Sequence, residues 1–147
     1  QRRVNTNDFV YFGTLEIPAG HIRKFENIYE ALEREVREET GLTISSIIND
    51  QRTEVFSTLV DDGALAFRPF ICQQYLKGPG WGWMGFVFRC LVENGDIGEI
   101  DNEASEHRWV TLSVLKNMLT KDSKLFFTLH LPVLKYYIDF HEKNTAQ

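Results

Sequence analysis

Apolar and polar positions repeat with two different periods along this chain, and the changes of period mark its elements. The clearest helical pattern covers residues 28–39. At about 100° per residue, Ile28, Tyr29, Ala31, Leu32 and Val36 share one apolar arc, while Glu30, Glu33 and Arg37 point away from it. Asn27 can cap the first turn, with Glu30 completing a capping box. Gly41 stands just past the end, where a left-handed residue is commonly needed.

The remaining pattern is mostly strand-like. Residues 9–12 and 15–17 are β-prone runs separated by Gly13, and Pro18-Ala19-Gly20 turns the chain toward the helix. Residues 42–48 read as a strand. Residues 54–60 and 64–71 flank Asp61-Asp62-Gly63 as a hairpin, and Pro69 places the second run at an edge or a bulge. Residues 77–82 form a loop. Residues 83–92 are apolar on both faces and read as one central strand. Asn94-Gly95 marks a turn, residues 97–106 an acidic loop, 108–112 a short strand and 111–119 a short helix. A second helical pattern over 124–142 carries Phe126, Leu129, Val133, Leu134, Tyr137 and Ile138, and Pro132 should kink or split it. Strands, a helix, further strands and then helices predict an α+β sandwich with a mixed sheet. No repeat or linker interrupts the chain, so residues 1–147 read as a single domain.

One feature of the first helix is out of place. Glu35, Glu38 and Glu39 fall beside or within the apolar arc, where Leu or Ala would be ordinary. Like charges there repel and lose solvent, at a cost of several kcal/mol if left unpaired. A single Arg34 cannot neutralise three carboxylates, so a further positive group is expected among them. Oxygen-only ligands suit Mg²⁺ or Mn²⁺ better than zinc. The other reading of the same residues is a solvated Glu-rich helix with lateral salt bridges.

Composition narrows the partners. A net charge of −5 argues against a nucleic-acid polymer or an anionic membrane as the main partner. Hydrophobic residues at 43% and charged residues at 25% are ordinary for a soluble globular protein. Cys72 and Cys90 have no metal-binding or redox spacing and suggest reduced thiols in a cytoplasmic setting. No apolar run is long enough to span a bilayer.

Residues 20–42 read GHIRKFENIYEALEREVREETGL: Gly20, five residues, Glu26, seven residues, Arg34-Glu35-Val36, one residue, Glu38-Glu39, one residue, Gly41-Leu42. This resembles the signature of the Nudix hydrolase family at every defined position. LEIPAG at 15–20 is similar to the family's lead-in, and EASEHRWV at 103–110 to its late acidic segment. The resemblance implies a Nudix-type α/β/α sandwich with a mixed sheet between helices. Against that pattern an opening strand is expected to be missing before QRRVNTNDFV.

The resemblance also implies chemistry: metal-dependent hydrolysis of the pyrophosphate link of a nucleoside di- or triphosphate, with Mg²⁺ or Mn²⁺ as cofactor and a small-molecule nucleotide as partner. Glu35 and Glu39 would be the principal metal ligands, joined by Glu38 and by the Gly20 carbonyl. Arg34 would orient Glu35, Glu26 would stand behind the ligands, and Glu35 could activate water. Glu103 matches an extra glutamate of MutT-like members, with Glu106 as its weaker competitor; a solvated acidic loop is the other reading of both. Arg2 or Arg3, together with Arg23 and Lys24, could meet phosphates, or could be solvated surface charge. Trp81, Trp83, Phe12 and Tyr11 could stack on a base, or could be core aromatics. GPGWGWMGFVF at 78–88 points to MutT-type members acting on oxidised purine nucleotides. LEIPAG points to the alternative, an ADP-ribose or nucleotide-sugar pyrophosphatase, although Thr58 stands where that branch has a proline. A third class is a nucleotide-binding module without turnover. A homodimer is left open.

Overall fold

The structure is a computed structural model that describes residues 1–4, 10–60, 62–76, 82–93, 95–98 and 104–145. In chain order its elements are β1 (Arg2–Arg3), α1 (Ile28–Thr40), β2 (Ile44–Ile47), β3 (Arg52–Phe56), β4 (Gly63–Phe67), β5 (Ile71–Gln74), β6 (Met84–Val87), β7 (Cys90–Val92), β8 (Ala104–Ser105), α2 (Leu112–Lys121) and α3 (Leu131–Thr145). Single 3₁₀ turns at Ser123–Leu125 and Thr128–His130 lead into α3. The fold is α+β. Its described strands pair as four two-stranded ladders: β1 with β8, β2 with β7, β3 with β4 and β5 with β6. The first, third and fourth of these are antiparallel. The chain forms two compact units, Gln1–Ile44 with Val92–Gln147, and Ser45–Leu91.

In the first unit α1 forms where its periodicity predicts. The Asn27 side chain accepts from the N–H groups of Tyr29 and Glu30 at 2.9 and 3.1 Å, and Glu30 accepts from the Asn27 N–H at 2.8 Å. These bonds satisfy donors that a helix start otherwise leaves open. Gly41 ends the helix at φ 73°, a left-handed conformation that glycine adopts without strain. Tyr29 and Ala31 are buried, while Glu30, Glu33 and Arg37 face solvent.

The core of this unit is built on Leu15, Phe126 and Leu134, with Ile17, Leu115, Met118, Leu119 and Leu131 packed against them. Leu15 is fixed by backbone as well as by packing. Its N–H donates to the Leu125 carbonyl at 2.7 Å, and its carbonyl accepts from the Phe127 N–H at 2.8 Å. That rung anchors the segment leading to Gly20. Pro132 falls in the first turn of α3, where no backbone N–H is required, so it starts the helix and does not kink it. Val133, Leu134 and Ile138 are buried as their spacing predicts.

In the second unit the hairpin forms, but its first strand runs over 52–56 rather than 54–60. Ser57 explains the early end: its hydroxyl accepts from the N–H groups of Leu59 and Val60, holding residues 57–60 in a turn. Pro69 separates β4 from β5, as its missing N–H requires. The single strand expected at 83–92 is instead two, β6 and β7. The break comes at Phe88-Arg89, where the Arg89 guanidinium stacks 4.6 Å from the centre of the Phe70 ring. These strands are not buried on both faces, since Met84 and Leu91 are more than half exposed.

Two other expected strands are absent. Residues 10–13 turn rather than extend, and residues 108–110 form no ladder. There Thr111 is committed to capping α2, its hydroxyl accepting from the Val114 N–H at 3.3 Å. The loop expected at 77–82, apart from Gly82, lies outside the described residues, as do Asn94 and positions 99–103 of the acidic segment.

Removing the Phe126 ring should cost about 3–5 kcal/mol, because it leaves a cavity between Leu15 and Leu134. Phe25, 94% exposed, is the contrast: Phe25→Asn should change stability by less than about 0.5 kcal/mol. Urea unfolding of the two variants beside wild type checks both values, and a Phe126→Ala loss as small as that of Phe25→Asn would refute this core.

Candidate functional site

Helical spacing puts Glu35, Glu38 and Glu39 on neighbouring positions of α1, three and four residues apart. Their surroundings grade from buried to open. The Glu39 residue is 6% exposed, the Glu35 side chain 17% and the Glu38 side chain 42%.

Arg34 holds the group together from the same helix. Its Nε and Nη2 donate to the two oxygens of Glu26 at 2.7 and 2.9 Å. Its Nη1 donates to Glu35 at 2.5 Å and to Glu38 at 3.1 Å, and Nη2 also reaches the His21 carbonyl at 2.9 Å. One guanidinium therefore ties the loop to the helix and fixes the Glu35 carboxylate. Glu26 also accepts from the Arg23 N–H at 2.8 Å. The Arg34 bonds, then that N–H, hold the Glu26 carboxyl down at about 2. Glu38 meets a second arginine, because Arg23 donates from Nη1 and Nη2 to its two oxygens at 3.2 and 3.0 Å. Lost solvent pushes Glu38 up, but the bonds from Arg34 and Arg23 outweigh it and keep its pKa below the usual value.

Gly20 sits against the Glu35 carboxylate. A Cβ at position 20 would collide with the Glu35 carboxyl carbon and both of its oxygens. Only glycine lets backbone and carboxylate approach this closely.

Glu39 is held differently. One of its oxygens accepts from the Gln1 side chain at 2.9 Å and from the Ala19 N–H at 3.1 Å. Burial lifts its pKa to about 7. Those two bonds oppose the rise, and the nearby charges of Glu16 and Glu35 add to it. Behind it Glu16, with a side chain 7% exposed, pairs with Arg3 at 3.1 Å. Burial raises the Glu16 carboxyl and Arg3 opposes that rise. The Arg3 guanidinium also lies 5.2 Å from the centre of the Phe127 ring. His130 completes this wall: its Nδ1 accepts from the Ile17 N–H at 3.3 Å and its ring meets Phe127 edge-on. Burial, then the Arg3 charge, depresses His130 to about 4.

The structure thus brings together Gly20, Arg34, Glu35, Glu38 and Glu39, with Glu26 where it was expected. Arg23 joins them through Glu38. Arg3 turns to Glu16 and Phe127, and Arg2 to Glu106 at 2.9 Å. Trp83 belongs to the second unit, where its ring lies 6.4 Å from that of Tyr75. Glu103 and Trp81 lie outside the described residues. Arg23 provides part of the further positive charge expected among the carboxylates, at Glu38, while Glu39 is held by Gln1 and the Ala19 N–H instead. Among the described residues, no three His, Cys, Asp or Glu side chains converge closely enough to hold a metal. Sequence reasoning missed Gln1, the Ala19 N–H, the Glu16–Arg3 pair and His130. His130 lies 113 residues from the Ile17 N–H it meets, so no local signal could mark it.

The NUDIX domain family matches residues 1–129. A Caenorhabditis elegans protein provisionally named nudix hydrolase 1 is 30% identical over 105 residues, covering 71% of this chain and 22% of that protein. The chain therefore spans about a fifth of the length of the curated relative it matches.

Two outcomes test the geometry. Gly20→Ala should destabilise by about 1–3 kcal/mol through overpacking, and by less in a Glu35→Ala background, where the clash is gone. Equal costs in both backgrounds, measured by urea unfolding, would separate Gly20 from Glu35. The second outcome concerns pH. Between pH 6.5 and about 4 the unfolded chain binds a proton that buried His130 refuses. Stability from this group is therefore complete above 6.5 and falls with falling pH, by roughly 3 kcal/mol in all. Glu39 slopes the opposite way between 4.5 and about 7, so the His130→Gln difference from wild type isolates the histidine. Parallel pH curves for the two proteins would show that His130 titrates normally.

Proposed function

The chain belongs to the NUDIX domain family, and from that premise we propose that it hydrolyses the pyrophosphate link of nucleoside diphosphate derivatives with a divalent cation. The observation that carries this reading is the contact between Gly20 and the Glu35 carboxylate, with Glu39 buried one turn further along α1. The donors are all hard oxygens, which suit Mg²⁺ or Mn²⁺. The Glu39 carboxyl, raised by burial and by the nearby charges of Glu16 and Glu35, is a group whose ionised form a cation would stabilise. Glu35, Glu38, Glu39 and the Gly20 carbonyl are the groups that would hold it. Glu103 is a further candidate from the sequence.

When bound, such a cation screens phosphate charge and lowers the pKa of a coordinated water. The chain's own residues do the positioning. Arg34 restrains Glu35 in a single orientation and keeps Glu26 ionised behind it. Ala19 and Gln1 restrain Glu39. Glu35, held by one oxygen to Arg34, is the group we assign to accept a proton from the attacking water. The matched span, residues 1–129, takes in all of the second unit and most of the first, which supports reading residues 1–147 as one domain.

Among substrates, the 78–88 segment favours a nucleoside di- or triphosphate with an oxidised purine base, and LEIPAG favours ADP-ribose or a nucleotide sugar. A panel of these compounds with Mg²⁺, read by product release, separates them, since ADP-ribose would give AMP. Glu39→Gln should lower kcat/KM by at least about 100-fold on the preferred substrate. Wild type and variant equally inert on every compound would end the hydrolase reading.

A further inference from the structure

Arg23 is placed unlike the other charged residues around α1, and its placement suggests a role of its own. Its backbone is fixed. The Arg23 N–H donates to Glu26 at 2.8 Å, the Arg23 carbonyl accepts from the Glu26 N–H at 3.1 Å, and Glu26 is itself gripped by Arg34. Its side chain is not fixed in the same way. The Arg23 guanidinium is 60% exposed, and both of its bonds go to Glu38, which is 42% exposed. Arg34, at 12%, is the opposite case, enclosed among Glu26, Glu35, Glu38 and the His21 carbonyl. An exposed ion pair contributes little and opens readily. Glu38 therefore has one arginine that stays and one that can leave.

Both Glu38 oxygens are occupied by Arg23. A cation that ligates Glu38 competes with the Arg23 guanidinium for the same two oxygens, and the two positive charges repel. The planar fork of donors that matches a carboxylate also matches a phosphate. We propose that Arg23 is an exchangeable counter-ion: it covers Glu38 in the metal-free protein, yields that carboxylate to the divalent cation, and then binds the diphosphate group of the substrate. This rests on the metal-dependent reading above and adds to it an order of events and a residue that links cation binding to anion binding.

Calorimetric titration of Mn²⁺ into wild type, Arg23→Gln and Arg23→Lys tests the first half. Loss of the competing pair should tighten Mn²⁺ binding to Arg23→Gln by up to about fivefold. Titration of a methylene-bridged pyrophosphate analogue into the Mn²⁺-saturated proteins tests the second half. The analogue should bind Arg23→Gln about tenfold more weakly than wild type, with Arg23→Lys between them because it keeps the charge and loses the fork. The proposal is overturned if Mn²⁺ binds Arg23→Gln no more tightly than wild type, or if the analogue binds both alike. Failure of wild type to bind Mn²⁺ at all would overturn the metal-dependent reading as well, which distinguishes the two failures. Circular dichroism checks that each variant is folded.

Discussion

The site depends on one largely enclosed guanidinium. Arg34 reaches three carboxylates and a backbone carbonyl, so the loop at 21–26 and the face of α1 are held by the same side chain. A lysine could not substitute, since an ammonium lacks the planar fork that grips Glu26 with two bonds and still reaches Glu35. The arrangement also sets the protonation states. Glu26 stays ionised far below its usual range because Arg34 is bound to it. Rigidity and charge at the helix face thus have a common origin.

Behind that face lies a second layer that acts through backbone. Leu15 is bonded on both sides to the segment around Phe126, and Ile17 donates to His130. Two residues after Ile17 comes the Ala19 N–H that holds Glu39. Hydrophobic packing of Leu15, Phe126 and Leu134 is therefore transmitted to a carboxylate through a few short links. Packing in this wall and placement of Glu39 are one problem, which is why buried polar groups such as His130 and Glu16 are tolerated there.

The carboxylates form a gradient. Glu39 is buried with its pKa raised, Glu35 is enclosed and paired, and Glu38 is open and shared between two arginines. Such a series would give the proposed cation both restrained ligands and an accessible one. The family match adds the chemical context for this geometry, and the local bonds explain how this particular chain builds it.

Much of this was legible in the linear chain. Asn27, Glu30 and Gly41 set the limits of α1, and the glutamates misplaced on its apolar arc marked the site, because both signals involve residues only a turn apart. The hairpin and the burial of Val133, Leu134 and Ile138 follow from local period as well. The division of residues 83–92 into two strands did not, since β6 pairs with β5 and β7 with β2, partners that only the folded chain assigns. Nor could the sequence assign Arg23 to Glu38, or His130 to Ile17, because those contacts join positions distant along the chain. Local spacing determined which side chains share a face of α1. Tertiary folding alone decided which of their charges are buried, which are paired and which remain open to exchange, because burial and pairing are set by what the rest of the chain packs against that face.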